Sequence, residues 1–147
     1  MPSRPGYAHV TQVPTRWADN DIYGHVNNVQ HYAFFDTAIN RWLIEEGGLD
    51  IHGGDVIGLC AESHCTYSGP FAYPDVIDVA MRVGHLGRSS VRYELALYRE
   101  EDEASVAEGW FVHVFVDRET RRSAGMPDRL RDALSRLQVP ATEEASS

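Results

Sequence analysis

Arg16 to Asn28 reads Arg-Trp-Ala-Asp-Asn-Asp-Ile-Tyr-Gly-His-Val-Asn-Asn, a run dense in carboxylate, amide and imidazole groups. Three kinds of chemistry could use such a run. Calcium is one: Asp19, Asp21 and Gly24 fall on the first, third and sixth positions of an EF-hand loop. Tyr23 and Gln30, however, occupy its fifth and twelfth positions, where oxygen ligands and a bidentate glutamate are needed. A transition metal held by Asp19, Asp21, His25 and His31 is the second, but no histidine pair has the four-residue helical spacing that marks such sites. The third is a single carboxylate beside a helix start. Unpaired amides and the positive end of the helix dipole can stabilise an oxyanion there. A nearby aspartate then serves as nucleophile or general base. No metal is expected.

The surrounding periodicity says what holds that loop. Tyr7 to Trp17 reads as a first strand, irregular because Pro14 lies in it. From Asn28 to Glu46, Tyr32, Phe35, Ile39, Trp42 and Leu43 recur at three- and four-residue steps, the pattern of an amphipathic helix. Asn27 or Asn28 can cap it, and Gly47-Gly48 can stop it. Strands follow at Asp55 to Tyr67, Val76 to Val83, Ser89 to Tyr98 and Ser105 to Val116, with a turn expected at Gly84 to Gly87. Met126 to Leu137 reads as a closing helix. One strand, one helix and four further strands give an α+β domain over residues 7–137. An antiparallel sheet curved around one long central helix, the hotdog fold, would bury that helix's broad apolar surface. Residues 138–147 are small and acidic, and are expected to be a disordered tail.

The stretch from Arg16 to Trp42 resembles the 4-hydroxybenzoyl-CoA thioesterase-type group of hotdog proteins. The group's motif at this junction is matched by Arg16, Trp17, Asp19, Asp21, Gly24, His25, Val26, Asn27, Asn28, Phe34, Phe35 and Asp36. Looser likeness continues through Cys65-Thr66-Tyr67, Pro74-Asp75-Val76 and Gly87-Arg88-Ser89-Ser90. The resemblance implies hydrolysis of an acyl-CoA thioester with Asp21 as the catalytic carboxylate. It also implies a thioester-carbonyl donor at the backbone N–H near Asn28, and CoA-phosphate contacts from Arg88, Ser89 and Ser90. No cofactor is implied, since coenzyme A is part of the substrate. His31 departs from the motif, which has tyrosine there, and that bears on the acyl group accepted.

Each of these residues also has a plainer expectation. Asp19 reads as the structural aspartate of the loop, and His25 as a positioning residue or a general acid or base. Asn27 and Asn28 read as caps before substrate contacts, and His31 as pocket wall or solvated helix residue. His64 and His113 read as hydrogen-bonded packing residues. Trp17, Phe34, Phe35, Trp42, Trp110, Phe111 and Phe115 read as core or interface. Hotdog hydratases carry Asp and His five apart with proline between, whereas Asp21 and His25 are four apart without one. A binding module that holds a thioester without turning it over is a further class.

The composition narrows the partners. The net charge is −9, which argues against nucleic acid. All 13 basic residues are arginine, so no lysine is there for Schiff-base chemistry. No apolar run is long enough to span a bilayer, and Met1 to Gly6 does not read as a secretory leader. No membrane partner is expected, and the location is expected to be cytoplasmic. Cys60 and Cys65 are five apart, which on a regular strand places them on opposite faces, unbridged. Gly109 to Val116 is apolar on both parities, a surplus that calls for a partner. A homodimer is expected, with a homotetramer of paired dimers also open.

Overall fold

The computed structural model describes residues 3–138. The strands β1 (His9–Pro14), β2 (Val56–Tyr67), β3 (Val76–Leu86), β4 (Ser90–Arg99) and β5 (Ala107–Asp117) form one antiparallel sheet in the order β1-β3-β4-β5-β2. Helix α1 (Asn28–Glu45) joins β1 to β2, and α2 (Asp128–Ser135) closes the described chain. This five-stranded antiparallel sheet with few helices agrees with the hotdog class. No helix among the described residues is long and apolar enough to cross a membrane.

The helix bounds follow from local chemistry. Asn27 caps α1 through its side-chain oxygen, which accepts from the Val29 amide at 3.0 Å. Phe34, Phe35, Ala38, Ile39, Trp42 and Leu43 face inward and join Val79, Met81, Tyr93, Leu95, Phe111 and Phe115 in one core. Burial of each large side chain contributes about 1.5–3 kcal/mol. At the N-terminal side, Arg4 crosses the sheet to Asp78 at 2.9 Å and stacks on Tyr98.

Several expected bounds move for physical reasons. β1 ends at Pro14, and Trp17–Asp19 folds into a short 3-10 turn because Asp19 reaches back to the Arg16 amide. The turn expected at Gly84 to Gly87 lies later, since β3 runs on to Leu86 through a bulge between Val83 and His85. Gly84 occupies the bulge because a Cβ there would meet the Glu94 carboxylate at 2.6 Å. Gln138, placed in the tail, bridges to Val83; residues 139–147 lie outside the described residues.

The cysteine geometry is also corrected. A second bulge falls between Cys60 and Glu62, so Cys60 pairs with His113 and Cys65 with Gly109. Those partners are four apart on β5, which puts both thiols on one face rather than on opposite faces. Both cysteines are free.

Candidate functional site

The loop between β1 and α1 is folded by its own polar groups. Asp19, 3% exposed, accepts from the Arg16 amide at 2.7 Å and from the Arg16 guanidinium at 2.7 and 3.1 Å. Asp19 is thereby the structural carboxylate of the pair, and its carbonyl receives the Asn27 amide at 2.9 Å. Asn20 pins the loop to the neighbouring connection, its side chain accepting from the Tyr73 amide at 3.0 Å. Val26, buried, donates its amide to the Phe71 carbonyl at 2.8 Å.

Asp21 is held differently. Its amide donates to the His25 carbonyl at 3.0 Å, and one carboxylate oxygen accepts from the Tyr23 amide at 2.9 Å. The other oxygen carries no hydrogen bond among the described residues. Asp21 is half-buried and opens into a hollow of about 450 Å³ with His25, Asn27, Asn28, Tyr67, Gly69 and Pro70 among its lining residues. At the start of α1, the amides of Asn27, Val29 and Gln30 all have acceptors, whereas that of Asn28 has none among the described residues. A carboxylate with a free oxygen and a helix-start amide with no acceptor therefore border one open space. That arrangement can polarise a carbonyl and deliver a base or nucleophile to it.

The other expected residues divide. His25 stands at the hollow, but its exposed ring makes no hydrogen bond among the described residues; its backbone carbonyl is what ties Asp21. His31 is buried, its ring edge-on to Tyr67 and Phe71 at 4.8 and 4.9 Å, so it packs behind Tyr67 and is not solvated surface. Burial holds its pKa below the usual value. Tyr67, whose hydroxyl donates to the Asn28 carbonyl at 3.4 Å, borders the hollow as well. Nothing in its spacing on an alternating strand marked it out. Arg88, Ser89 and Ser90 lie elsewhere, at the turn between β3 and β4. Arg88 is exposed there, and Ser89 bonds the Ser123 hydroxyl at 2.8 Å. Loop and turn stand at opposite ends of β3, which at 11 residues spans about 35 Å.

Three packing expectations change. Trp17 is 75% exposed, edge-on to Tyr73, which removes the core alternative and keeps the interface one. His64 is exposed on the edge strand and stacks on half-buried Trp110 at 5.6 Å, with no side-chain hydrogen bond among the described residues. His113 is buried as expected, but its Nδ1 has no hydrogen-bond partner among the described residues. Among the described residues no group of three or more His, Cys, Asp or Glu side chains converges to hold a metal ion.

Residues 15–134 match the model of the thioesterase-like superfamily. The chain belongs to this superfamily. Among solved structures, the PA5185 protein of Pseudomonas aeruginosa is 57% identical, with a TM-score of 0.90 over 92% of this chain and 94% of that one. The PA2801 protein of the same organism, described as a candidate thioesterase, is 33% identical, with a TM-score of 0.82 over 87% and 98%. Slr0204, a 1,4-dihydroxy-2-naphthoyl-CoA thioesterase from Synechocystis, shares the fold at 18% identity, with a TM-score of 0.79 over 89% and 98%. None of the curated proteins matches the chain. The match to this thioesterase-like family takes in the Asp21 loop, α1 and all of the sheet after β1.

Proposed function

We propose that this chain hydrolyses an acyl-CoA thioester to the free acid and the CoA thiol, using Asp21. The observation that carries the reading is the pairing of Asp21's free carboxylate oxygen with the unpartnered Asn28 amide across one hollow. The Asn28 N–H receives the carbonyl oxygen as it gains charge. Asp21 either takes the proton of an attacking water or attacks the carbonyl carbon itself, giving an anhydride that water then opens. The carbon–sulfur bond breaks and the thiolate leaves, taking up the proton. A thiolate leaves far more readily than an alkoxide, so one carboxylate suffices without a serine triad. His25 borders the leaving group's path, and Asn27, through its cap, holds the Asn28 amide in place. The motif resemblance narrows the class toward the 4-hydroxybenzoyl-CoA type, and the burial of the apolar side of α1 in the same core as the sheet supports the hotdog reading. The cytoplasm is the proposed setting, where Cys60 and Cys65 stay reduced.

The two ends of β3 add a quaternary element to the proposal. If Arg88, Ser89 and Ser90 hold the CoA phosphates of the ester that Asp21 attacks, they come from a second copy of the chain. The site is then shared between the subunits of a homodimer. Two surfaces support this: β2 is an edge strand of 12 residues, largely exposed, and Ile22 and Val29 beside the site are 93% and 72% exposed. Pairs of dimers would give a tetramer. Free-thiol release from a panel of short, medium, long and aromatic CoA esters tests the chemistry. Ester binding without thiol release would leave a binding module instead. Light scattering tests the assembly, with a mass of at least twice 16.5 kDa expected.

A further inference from the structure

The dipeptide Arg-Ser occurs twice in the sequence, at Arg88-Ser89 and at Arg122-Ser123. The fold brings the two together, serine to serine, with the hydroxyls 2.8 Å apart across 34 residues of chain. Both segments hang on one residue of β5. The Phe115 amide donates to the Ser89 carbonyl at 2.7 Å, and the Phe115 carbonyl accepts from the Ala124 amide at 2.9 Å. Residues 122–124 therefore continue along β5 past the point where β4 begins, with Ser123 opposite Val116. Arg121 turns the chain back to that place. Its φ of 62° lies in the left-handed region that few residues with side chains adopt, and its amide donates to the Asp117 carbonyl at 2.9 Å.

The place is open to solvent: Arg88, Arg122 and Ser123 are exposed and Ser89 is half-buried. The side chains of Arg88 and Arg122 make no hydrogen bond or ion pair among the described residues. Arg4, Arg16, Arg41, Arg82 and Arg99, by contrast, each lie on a carboxylate. In a chain of net charge −9, an anion is drawn only by a local group of cations. Arg131 adds a third positive charge beneath the turn, donating to the Gly87 and Arg88 carbonyls at 2.8 and 2.7 Å. The Asp117 carboxylate, at the base of the second turn, is taken up by the amides of Glu119 and Thr120 at 2.9 Å. Of the two serine hydroxyls, one donates to the other, which leaves one proton between them to give to a ligand.

We propose that Arg122 and Ser123 join Arg88 and Ser89 in a cradle for the 3′-phosphate of the CoA carrier, and so decide between CoA esters and esters that lack this phosphate. The inference rests on the thioesterase reading of the Asp21 site. A phosphate monoester carries a charge of about −1.5 to −2 at pH 7 on three terminal oxygens, and accepts from several sides at once. Two guanidinium forks, each one residue from the hydroxyl pair and each from a different segment, match that shape. Each phosphate of the CoA diphosphate is bonded on two sides, bears one charge and leaves two oxygens free. It offers less to a site that closes from two directions.

The test carries one acyl group, the one released fastest in the ester panel, on CoA, on dephospho-CoA and on pantetheine, with kcat/KM measured on the purified full chain. The unaltered protein should prefer the CoA ester to the dephospho-CoA ester at least tenfold, through KM. Arg122→Ala should bring that ratio close to one, and Ser123→Ala should lower it severalfold. Each ratio compares two esters on the same variant, so a loss of folded protein cancels. A ratio near one in the unaltered protein overturns the cradle, and so does a ratio that Arg122→Ala retains. If Arg122→Ala instead abolishes a preference for dephospho-CoA over pantetheine, the diphosphate is the ligand and the assignment falls. Should no ester release thiol, the thioesterase reading falls by itself. Calorimetric titration with CoA and dephospho-CoA then decides the cradle: tenfold tighter binding of CoA that Arg122→Ala removes sustains it, and equal binding sinks it.

Discussion

The two ends of the sheet are built on opposite principles. At the loop end, beside the start of β3, backbone and side-chain hydrogen bonds fold the Asp19–Asn27 segment and leave one Asp21 oxygen and the Asn28 amide without partners among the described residues. At the turn end, after Leu86, Arg131 braces the turn by donating to the carbonyls of Gly87 and Arg88, while the Arg88 side chain itself extends into solvent. The first end is arranged for position, where a small displacement of a reacting atom is expensive. The second is suited to a flexible charge that meets a mobile phosphate, where exact placement matters less. On the proposed reading, one chain separates chemistry from grip by about the length of a strand.

The strongest blow to that contrast would come from the loop end. Asp21→Asn should lower kcat by at least about 100-fold while thioester binding stays nearly intact. A variant that keeps more than half its activity would remove the loop end from the chemistry altogether.

Acid should act on the interior between the ends. Burial lowers the His113 pKa from 6.5 to about 4, and the same cause lowers His9 and His31. Above pH 6.5 these rings are neutral in both folded and unfolded chains and cost nothing. Below it the unfolded chain takes up protons that the folded chain refuses, so stability falls as pH drops. For His113 alone the loss is about 2 kcal/mol between pH 6.5 and 5. Urea unfolding at several pH values should show this slope, reduced in His113→Phe; identical slopes would mean that His113 is not held neutral.

At the turn end the effect should be smaller and of a different kind. Arg88→Ala should raise KM about tenfold with kcat little changed, as loss of uniform binding does. Mixing Arg88→Ala and Asp21→Asn chains sharpens the point. If the two ends meet across a subunit boundary, mixed dimers carry one intact site, and at ester concentrations well below KM they turn over faster than either variant alone. No recovery after verified exchange would place both ends in one subunit's site. The least change of all is expected from metal removal, since the loop offers an incomplete ligand set. Prolonged chelation should leave the rate untouched, and restoration of a lost rate by one divalent ion would overturn that.

Much of the loop end was legible because its signals are local. The Asn27 cap, the switch to helical period after it and the Asp19–Asp21 pair all sit within a few residues of one another. What escaped depends on partners distant in sequence. Alternation reads one residue per step, so it missed the bulges after Cys60 and Val83, and with them the shared face of the two thiols and the later turn. His64 reads as a packing residue from its apolar neighbours, but it lies on an edge strand, and Trp17 follows the end of β1, outside the core. Tyr67 gained meaning only when β2 brought it against α1. The missing partner of His113 could not be seen without its neighbours.

The two bulges also set where this gene can lose a codon. In β2 the pairing passes from Cys60 opposite His113 to Glu62 opposite Val112, leaving Ala61 outside the ladder. Its removal joins two residues that already point to opposite faces and leaves every other side chain where it was. Gly84 of β3 stands in the same relation to Val83 and His85. Removal of any other single residue inside these strands turns the remainder over, carrying Cys65 outward or Met81 and Val79 out of the core. A codon-deletion scan across residues 56–67 and 76–86 should therefore recover folded protein at Ala61 and Gly84 and lose it at the interior positions between them and the strand ends.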